Sequence, residues 1–230
     1  MDTGLEARAR RHAALGEAHR LAIVEELAGS DRSPTELGRR LGIAANLLAH
    51  HLDVLEDADL IERFVSSGDR RRRYVRLRRA SLADLGIHSQ RPTEPIVFVC
   101  SHNSARSQLA AAMWRDRTGR PATSAGTRPA DQVDPGAVAA AARIGLDLSN
   151  AIPCAFGGPE AGQVIVTVCD QAHEELPASD DWWHWSLPDP VAAGTDAAFD
   201  GVVSDLDTRI ASLLPNDTPP RPPSPRKVSP

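Results

Sequence analysis

The chain has 230 residues, enough for two domains, and a net charge of −5. The charge is uneven: residues 1–91 carry a net charge of about +2 and residues 92–230 about −7. No apolar run is long enough to span a bilayer and residues 1–20 are too charged for a signal peptide, so we expect a cytoplasmic protein without membrane contact. Three cysteines, an odd number without paired spacing, argue against a disulfide scaffold and indicate a reducing compartment.

The N-terminal part of the chain has the pattern of four helices followed by a hairpin. Apolar residues from Leu15 to Leu27 predict one amphipathic helix, and the capping box Ser33-Pro34-Thr35-Glu36 predicts the start of a short second one. A further helix is expected from about Ala45. The strands Ile61–Val65 and Arg73–Leu77 then form an antiparallel hairpin around a Ser-Ser-Gly-Asp turn. Helix, turn, helix and basic hairpin together predict a winged helix-turn-helix.

Several short motifs in this region carry a more specific resemblance. They are Leu15-Gly16, His19-Arg20-Leu21, Glu36-Leu37, Leu41-Gly42-Ile43, His50-His51-Leu52-x-Val54-Leu55 and Tyr74. In order and spacing they resemble the ArsR-type repressor family over roughly residues 10–79. The resemblance implies a homodimer formed through this domain, with residues 44–51 in a DNA major groove.

The candidate DNA-binding residues fall into two groups. Asn46 and His50 are the side chains able to read base edges, because alanine or leucine stands at positions 44, 45, 47 and 49, where the family usually has hydroxyl or amide residues. The wing arginines Arg70, Arg71, Arg72 and Arg73 are expected to contact phosphates, the alternative being a solvated hairpin tip. Neither His50 nor His51 is expected to be a metal ligand. No cysteine precedes Cys100, so the thiolate arsenite sensor of many such repressors is missing.

The remainder of the chain alternates strands and helices, a pattern that predicts an α/β domain with a parallel sheet. The predicted organisation is a winged helix-turn-helix domain (α+β) at 1–80, a linker at 81–93, the α/β domain at 94–215 and a disordered proline-rich tail at 216–230. Strands are expected at 96–99, 122–125 and 164–168, and the last helix at 199–214.

The most informative stretch of the sequence joins the first strand of this α/β domain to the first helix. Cys100 ends the strand, and Arg106 stands six residues later at the start of the helix. A helix N-terminus and a guanidinium both stabilise negative charge, so this loop predicts a thiolate nucleophile beside an oxyanion site. The alternative is a buried cysteine and a surface arginine with no common role. The loop residues expected to bind the oxyanion or support the loop are Ser101, His102, Asn103, Ser104, Ala105 and Ser107.

Further motifs extend the pattern to the end of the α/β domain. They are Ser124-Ala125-Gly126-Thr127, Asp134-Pro135, Gly145-Leu146-Asp147-Leu148-Ser149, Val166-Thr167-Val168-Cys169-Asp170, His184-Trp185 and Leu187-Pro188-Asp189-Pro190. With the Cys100 loop they resemble the low-molecular-weight phosphatase fold, and within it the arsenate reductase branch, over about residues 95–214. The resemblance implies that Cys100 is the nucleophile, that Arg106 and the loop amides bind the oxyanion, and that Asp189 is the general acid. Without it, an Asp-Pro pair indicates only a turn.

Departures from the family pattern favour a reductase that uses an external thiol. Val191 replaces the aromatic residue that clamps the ring of phosphotyrosine, and Ala105 replaces a second loop cysteine of the phosphatases. Cys169 matches the first relay cysteine of thioredoxin-coupled arsenate reductases, but the terminal relay position is Leu176. We therefore expect a small thiol, mycothiol or glutathione, with its glutaredoxin-type reductase. Ala111 replaces a glutamate found near a potassium ion in some reductases, and no bound cofactor or metal is expected.

Three functions are compatible with the sequence. The first is an arsenate reductase fused to a DNA-binding domain. The second is a transcriptional regulator whose phosphatase-like domain only senses an oxyanion or a redox state, and the third is a low-molecular-weight phosphatase. All three share arsenate or a phosphate-like oxyanion as ligand.

Overall fold

The computed structural model describes residues 3–82, 92–177, 179 and 181–214. Among these residues there are three hydrophobic clusters, one within residues 14–77 and two within residues 96–213. The predicted linker and tail lie mostly or wholly outside the described residues, so the domain limits remain a prediction. Among the described residues, no helix combines the length and apolarity needed to cross a bilayer.

The N-terminal domain is a winged helix-turn-helix, as predicted. Its elements are α1 (Thr3–Leu15), α2 (Ala18–Gly29), α3 (Pro34–Leu41), α4 (Ala45–Asp57), β1 (Ile61–Val65), β2 (Arg73–Leu77) and α5 (Arg79–Leu82). The Ser33 capping box is present, and Gly42 ends α3 with a φ of 65°. The prediction of a single helix from Leu15 to Leu27 is wrong, because the Glu17 carboxylate caps a new helix at Ala18 by accepting the amides of His19 and Arg20.

The C-terminal domain contains a four-stranded parallel sheet in the order β4-β3-β5-β6. Its elements are β3 (Ile96–Cys100), α6 (Arg106–Thr118), β4 (Ala122–Gly126), α7 (Pro135–Arg143), β5 (Val164–Thr167), α8 (Asp170–Glu175), β6 (Trp183–His184), α9 (Pro190–Ala193) and α10 (Asp196–Ser212). The parallel sheet is confirmed. The short elements α8, β6 and α9 were not predicted, because two to six residues show no clear periodicity. The central strand β3 is buried along its whole length and ends at Cys100.

The two domains are joined by a buried ion pair that the sequence analysis did not predict. Asp31, between α2 and α3, receives two hydrogen bonds from the Arg209 guanidinium of α10, at 3.1 and 3.0 Å. Both side chains are buried, and Asp31 also accepts the amide of Ser186 at 2.8 Å. Burial alone would raise the pKa of Asp31, but the charge of Arg209, together with Arg76 and Arg79, outweighs burial and holds this pKa below its ordinary value. The carboxylate is therefore ionised inside the interface.

Hydrogen bonds to backbone carbonyl groups extend the interface around Asp31. Trp185 donates its indole N–H to the carbonyl of Gly29 at 2.9 Å, and the amide of Asp31 donates to the carbonyl of His184 at 2.7 Å. The guanidinium of Arg32 reaches the carbonyl of Trp182 at 2.8 Å. The segment that contains β6 is thus hydrogen-bonded to the N-terminal domain at several places.

Candidate active site and DNA-facing surface

The loop from Cys100 to Arg106 lies at the carboxyl end of β3, where a parallel sheet presents its binding site. The Cys100 Sγ accepts the backbone amide of Asn103 at 3.2 Å and lies 3.0 Å from the Ser107 hydroxyl. Asn103 has a φ of 50°, the left-handed conformation expected for it. The loop therefore folds back over the cysteine sulfur, and its amide and hydroxyl groups are positioned to stabilise a thiolate.

A buried polar network fixes the loop in this conformation. The Asn103 side chain donates to the Ser107 hydroxyl at 2.8 Å, and its oxygen accepts both the Gln108 amide at 3.1 Å and the backbone N–H of Cys154 at 2.9 Å. Sequence reasoning missed Gln108. It included Gly126 in a family motif but assigned it no role; a Cβ there would stand 2.8 Å from the carbonyl oxygen of Ser101. The sequence feature that could have indicated this role is a glycine at the end of β4, the strand beside β3.

The other loop residues contribute through the backbone. Ser101, His102 and Ser104 accept, through their carbonyl oxygens, the amides of Arg128, Ala130 and Asp134 at 2.8 to 2.9 Å. Ala105 is buried and directly precedes α6, while the His102 side chain is exposed. These contacts anchor the loop to the segment that follows β4.

Arg106 is buried and forms an ion pair with Asp189. Its Nη2 lies 3.0 Å from the Asp189 Oδ2, and its Nη1 donates to the carbonyl of Leu187 at 3.2 Å. Asp189 caps α9 through its other oxygen, which accepts the amide of Val191 at 3.1 Å. The structure thus pairs Arg106 with Asp189, and Arg106 directly precedes Ser107, whose hydroxyl lies beside the Cys100 sulfur; these are the three residues expected to be catalytic. An oxyanion bound by Arg106 would compete with Asp189 for the guanidinium.

The other two cysteines both contact the Cys100 loop. Cys169 does so through Ser101, and Cys154 through the side chain of Asn103. The Cys169 Sγ is 3.4 Å from the Ser101 hydroxyl and accepts the amide of Ala172 at the start of α8. Burial raises the pKa of the Cys169 thiol against the opposing charge of Arg106, so this thiol is a weaker nucleophile at neutral pH than a typical free cysteine. Cys154 is exposed and donates to the carbonyl of Ser124. Leu176 packs with the apolar cluster formed by Val97, Val99, Ala125 and Ile165.

The candidate DNA-binding residues share one property, solvent exposure. Exposed are Asn46 and His50 on α4, and Arg70, Arg71, Arg72 and Arg73 on the wing. Arg71 forms an ion pair with Asp69 at 3.0 Å. Asp53, an acidic residue in the C-terminal half of α4, forms an ion pair with Arg63 at 2.8 Å. The surface is therefore positively charged at the wing, with few groups on α4 that could read bases.

The turn of the wing is hydrogen-bonded to α8, directly after Cys169. Ser67 donates its amide and hydroxyl to Asp170 at 2.6 and 2.9 Å, and the Glu174 carboxylate accepts the Ser66 hydroxyl at 2.6 Å and the Asp69 amide at 2.7 Å. Burial would raise the pKa of Asp170, but the His184 ring at 3.1 Å and the Ser67 amide outweigh it and hold this pKa below its ordinary value. Two carboxylates of the C-terminal domain thus fix the wing of the N-terminal one.

The fold and this site define a class of protein in which an α/β domain with a buried cysteine at the carboxyl end of its parallel sheet is joined to a winged helix-turn-helix. The family model for low molecular weight phosphotyrosine protein phosphatase matches residues 95–218, and a helix-turn-helix domain model matches residues 15–63. Because the first match covers more than half of the chain, the protein belongs to the low molecular weight phosphotyrosine protein phosphatase family, with a helix-turn-helix domain at its N-terminal end.

Solved structures similar to this chain cover one domain each. An arsenate reductase from Archaeoglobus fulgidus is 27% identical, with a TM-score of 0.45, and the match covers 51% of this chain and 97% of that one. A mutant of YwlE from Bacillus subtilis is 19% identical, with a TM-score of 0.48, over 53% of this chain and 96% of that one. A homodimeric winged helix-turn-helix DNA-binding domain from Mycobacterium bovis is 26% identical, with a TM-score of 0.32, over 35% of this chain and 72% of that one.

Proposed function

We propose that the protein is an arsenate reductase fused to a DNA-binding domain, with a small external thiol as its reductant. The observation that carries the proposal is the group formed by Cys100, Arg106 and Asp189: a sulfur held by loop amide and hydroxyl groups, beside a buried guanidinium and a carboxyl group. Val191 and Ala105 in place of two phosphotyrosine-phosphatase residues favour arsenate over phosphotyrosine.

The reaction begins when the Cys100 thiolate attacks arsenic(V). A sulfur–arsenic bond forms, and an arsenate oxygen leaves as water after Asp189 protonates it. Arg106 and the loop amides bind the remaining oxygens and stabilise the charge on them. Asp189 donates its carboxyl proton to the leaving oxygen in this step.

The second step transfers two electrons to arsenic. The thiolate of mycothiol or glutathione attacks the Cys100 sulfur and forms a disulfide, while the electron pair of the sulfur–arsenic bond goes to arsenic and releases arsenite. A glutaredoxin-type reductase then reduces the mixed disulfide. The side chain of Leu176 has no thiol, so a disulfide between Cys100 and Cys169 could not be passed outward by a third cysteine at that position.

For the N-terminal domain we propose dimerisation and binding to DNA with the wing arginines on phosphates. Exposure of all four wing arginines supports this role. We expect Asn46 and His50 to contact base edges. Because α4 has few other polar groups, direct readout of bases should be weak.

The proposal is tested by assaying arsenate reduction by the full chain with mycothiol, glutathione or thioredoxin, each with its own recycling enzyme. Turnover with a small thiol and none with thioredoxin alone is the expected result. Turnover with thioredoxin alone would replace the external-thiol mechanism by a two-cysteine one. Hydrolysis of an aryl phosphate without any arsenate reduction would replace the reductase by a phosphatase.

A second candidate function, regulation of DNA binding by the state of the oxyanion loop, is favoured by the contacts of the wing. Helix α8 begins one residue after Cys169, which contacts Ser101 of the loop, and the same helix holds the wing turn through Asp170 and Glu174. A change at the loop that displaces α8 would therefore displace the wing.

The regulator function is tested by the affinity of the full chain for labelled duplex DNA with and without arsenate. Gly68→Ala provides an uncoupled variant, because a Cβ there would stand 2.6 Å from the Glu174 carboxylate and 3.1 Å from the backbone nitrogen of Gln171, both in α8. Gly201→Ala is the control, because no atom lies within 4 Å of its added Cβ. A dependence on arsenate in the parent and the control that is lost in Gly68→Ala supports regulation. An affinity independent of arsenate in all three proteins excludes it.

A further inference from the structure

Three potential metal ligands meet where the start of α2 packs on the recognition helix α4. They are the Glu17 carboxylate, which caps α2, the His19 ring two residues further on, and the His51 ring of α4. One ligand atom from each lies within 4.8 Å of the other two. The Glu17 carboxylate is 2.8 Å from the His19 Nδ1 and 3.5 Å from the His51 Nδ1, and the two rings are stacked with their centroids 5.3 Å apart.

His51 is the unusual member of this group, because it is buried without a hydrogen bond. Only 5% of its surface is exposed, and neither ring nitrogen has a hydrogen-bond partner among the described residues. A buried polar atom without a partner destabilises the folded state, so native structures rarely keep one that has no role. The Glu17 oxygen lies 3.5 Å from the His51 Nδ1 but makes no hydrogen bond with this ring.

The donor set fits a transition-metal ion of the zinc type. Two imidazole nitrogens and one carboxylate oxygen form a known three-ligand zinc set, in which water completes the coordination. At metal–ligand distances of about 2.0–2.2 Å, tetrahedral ligand atoms lie about 3.3 Å apart. Glu17 and His51 already have this separation. Closure of the site therefore requires movement of His19 alone, whose side chain is 51% exposed.

We propose that Glu17, His19 and His51 bind a divalent transition-metal ion that links α2 to the recognition helix. This proposal replaces the expectation that the histidines of α4 are not ligands. The sequence did not predict this site, because His51 is more than thirty positions from Glu17 and His19. A bound ion would fix α4 on α2, with Asn46 and His50 on the exposed side of the same helix. The site is separate from the Cys100 loop and does not depend on the reaction proposed there.

The test is a cobalt(II) titration of the full chain after removal of metals with a chelator, followed by visible absorption and by zinc competition. We expect one cobalt ion per chain, with the weak visible bands of nitrogen and oxygen ligands and no intense near-ultraviolet band from a thiolate. His19→Ala should weaken cobalt binding by at least the about 10- to 100-fold that loss of a group orienting a metal ligand costs. Since His19 is half exposed, this variant should keep the fold, which far-ultraviolet circular dichroism checks.

His50→Ala is the matched control, because His50 is the exposed neighbour of His51 on α4. Its cobalt affinity should equal that of the parent, while Glu17→Gln should lose affinity as His19→Ala does. The proposal is overturned if the parent shows no cobalt spectrum with excess metal, if His19→Ala binds as tightly as the parent, or if the spectrum is that of a thiolate complex.

Discussion

Arg106 and Asp189 face each other across the oxyanion loop, with 3.0 Å between the guanidinium and the carboxylate. The cation that should bind an oxyanion is therefore paired with the proposed general acid. In the proposed mechanism, an oxyanion competes with Asp189 for Arg106, and Asp189 donates its proton to the leaving oxygen.

Asp189→Asn should lower the turnover number for arsenate by about 100-fold, because the amide cannot donate a proton to the leaving oxygen. Affinity for phosphate as a competitive ligand should be no weaker than in the parent, since Arg106 no longer has to leave a carboxylate. Steady-state kinetics and isothermal titration with phosphate measure the two effects. A large loss of phosphate affinity with unchanged turnover would assign Asp189 to binding.

Cys100→Ser should abolish arsenate reduction while leaving the fold intact. A serine hydroxyl is a far poorer nucleophile at neutral pH than a thiolate, and its oxygen can still accept the amide of Asn103. Circular dichroism and a reduction assay measure fold and activity. A serine variant that keeps more than a small fraction of the parent rate would show that another residue performs the attack.

Removal of either remaining cysteine separates the external-thiol mechanism from an internal disulfide. Cys169→Ala and Cys154→Ala should each keep most of the activity with the small thiol. With arsenate and that thiol but without its recycling reductase, intact mass spectrometry should show one thiol adduct per chain, located on Cys100. If Cys169→Ala is as inactive as Cys100→Ser, the attack on Cys100 comes from Cys169.

Replacement of Arg70, Arg71, Arg72 and Arg73 by alanine should weaken binding to all DNA duplexes about equally. Each phosphate contact contributes about 0.9 to the slope of log affinity against log salt, so the slope should also become shallower. Fluorescence anisotropy at several salt concentrations measures both quantities. Tight binding that depends on sequence and is insensitive to salt, in the parent protein, would contradict the proposed mode of DNA contact.

Asp31→Asn should destabilise the protein by about 3–5 kcal/mol, because the Arg209 cation would remain buried without its main partner. Since the pKa of Asp31 is lowered by folding, its contribution to stability is full above the ordinary carboxyl pKa and is lost as the pH falls below it. Urea denaturation at neutral and acidic pH should therefore show a difference between variant and parent that shrinks in acid. Asp200→Asn is the control: Asp200 lies on α10, as Arg209 does, and forms an exposed ion pair with Arg143. Its loss should cost less than about 1 kcal/mol.

The sequence by itself determined the local features of both domains. The oxyanion loop was predictable because Cys100 ends an apolar strand and Arg106 begins a helix a few residues later, and both elements follow from periodicity. The capping box at Ser33 was predictable for the same reason, since its hydrogen bonds join residues three positions apart. The resemblance to the low-molecular-weight phosphatase family, confirmed by the family match, rests on such motifs in a fixed order.

Only the tertiary structure decided how the parts face one another. Asp31 and Arg209 are separated by 178 positions, the wing turn and α8 by about a hundred, and no local pattern connects either pair. The requirement for glycine at position 126 and the grouping of His51 with Glu17 and His19 likewise arise from segments that meet only after folding. Periodicity reports which face of an element is buried, but not which distant side chain it meets. That choice depends on packing and charge pairing across the whole chain.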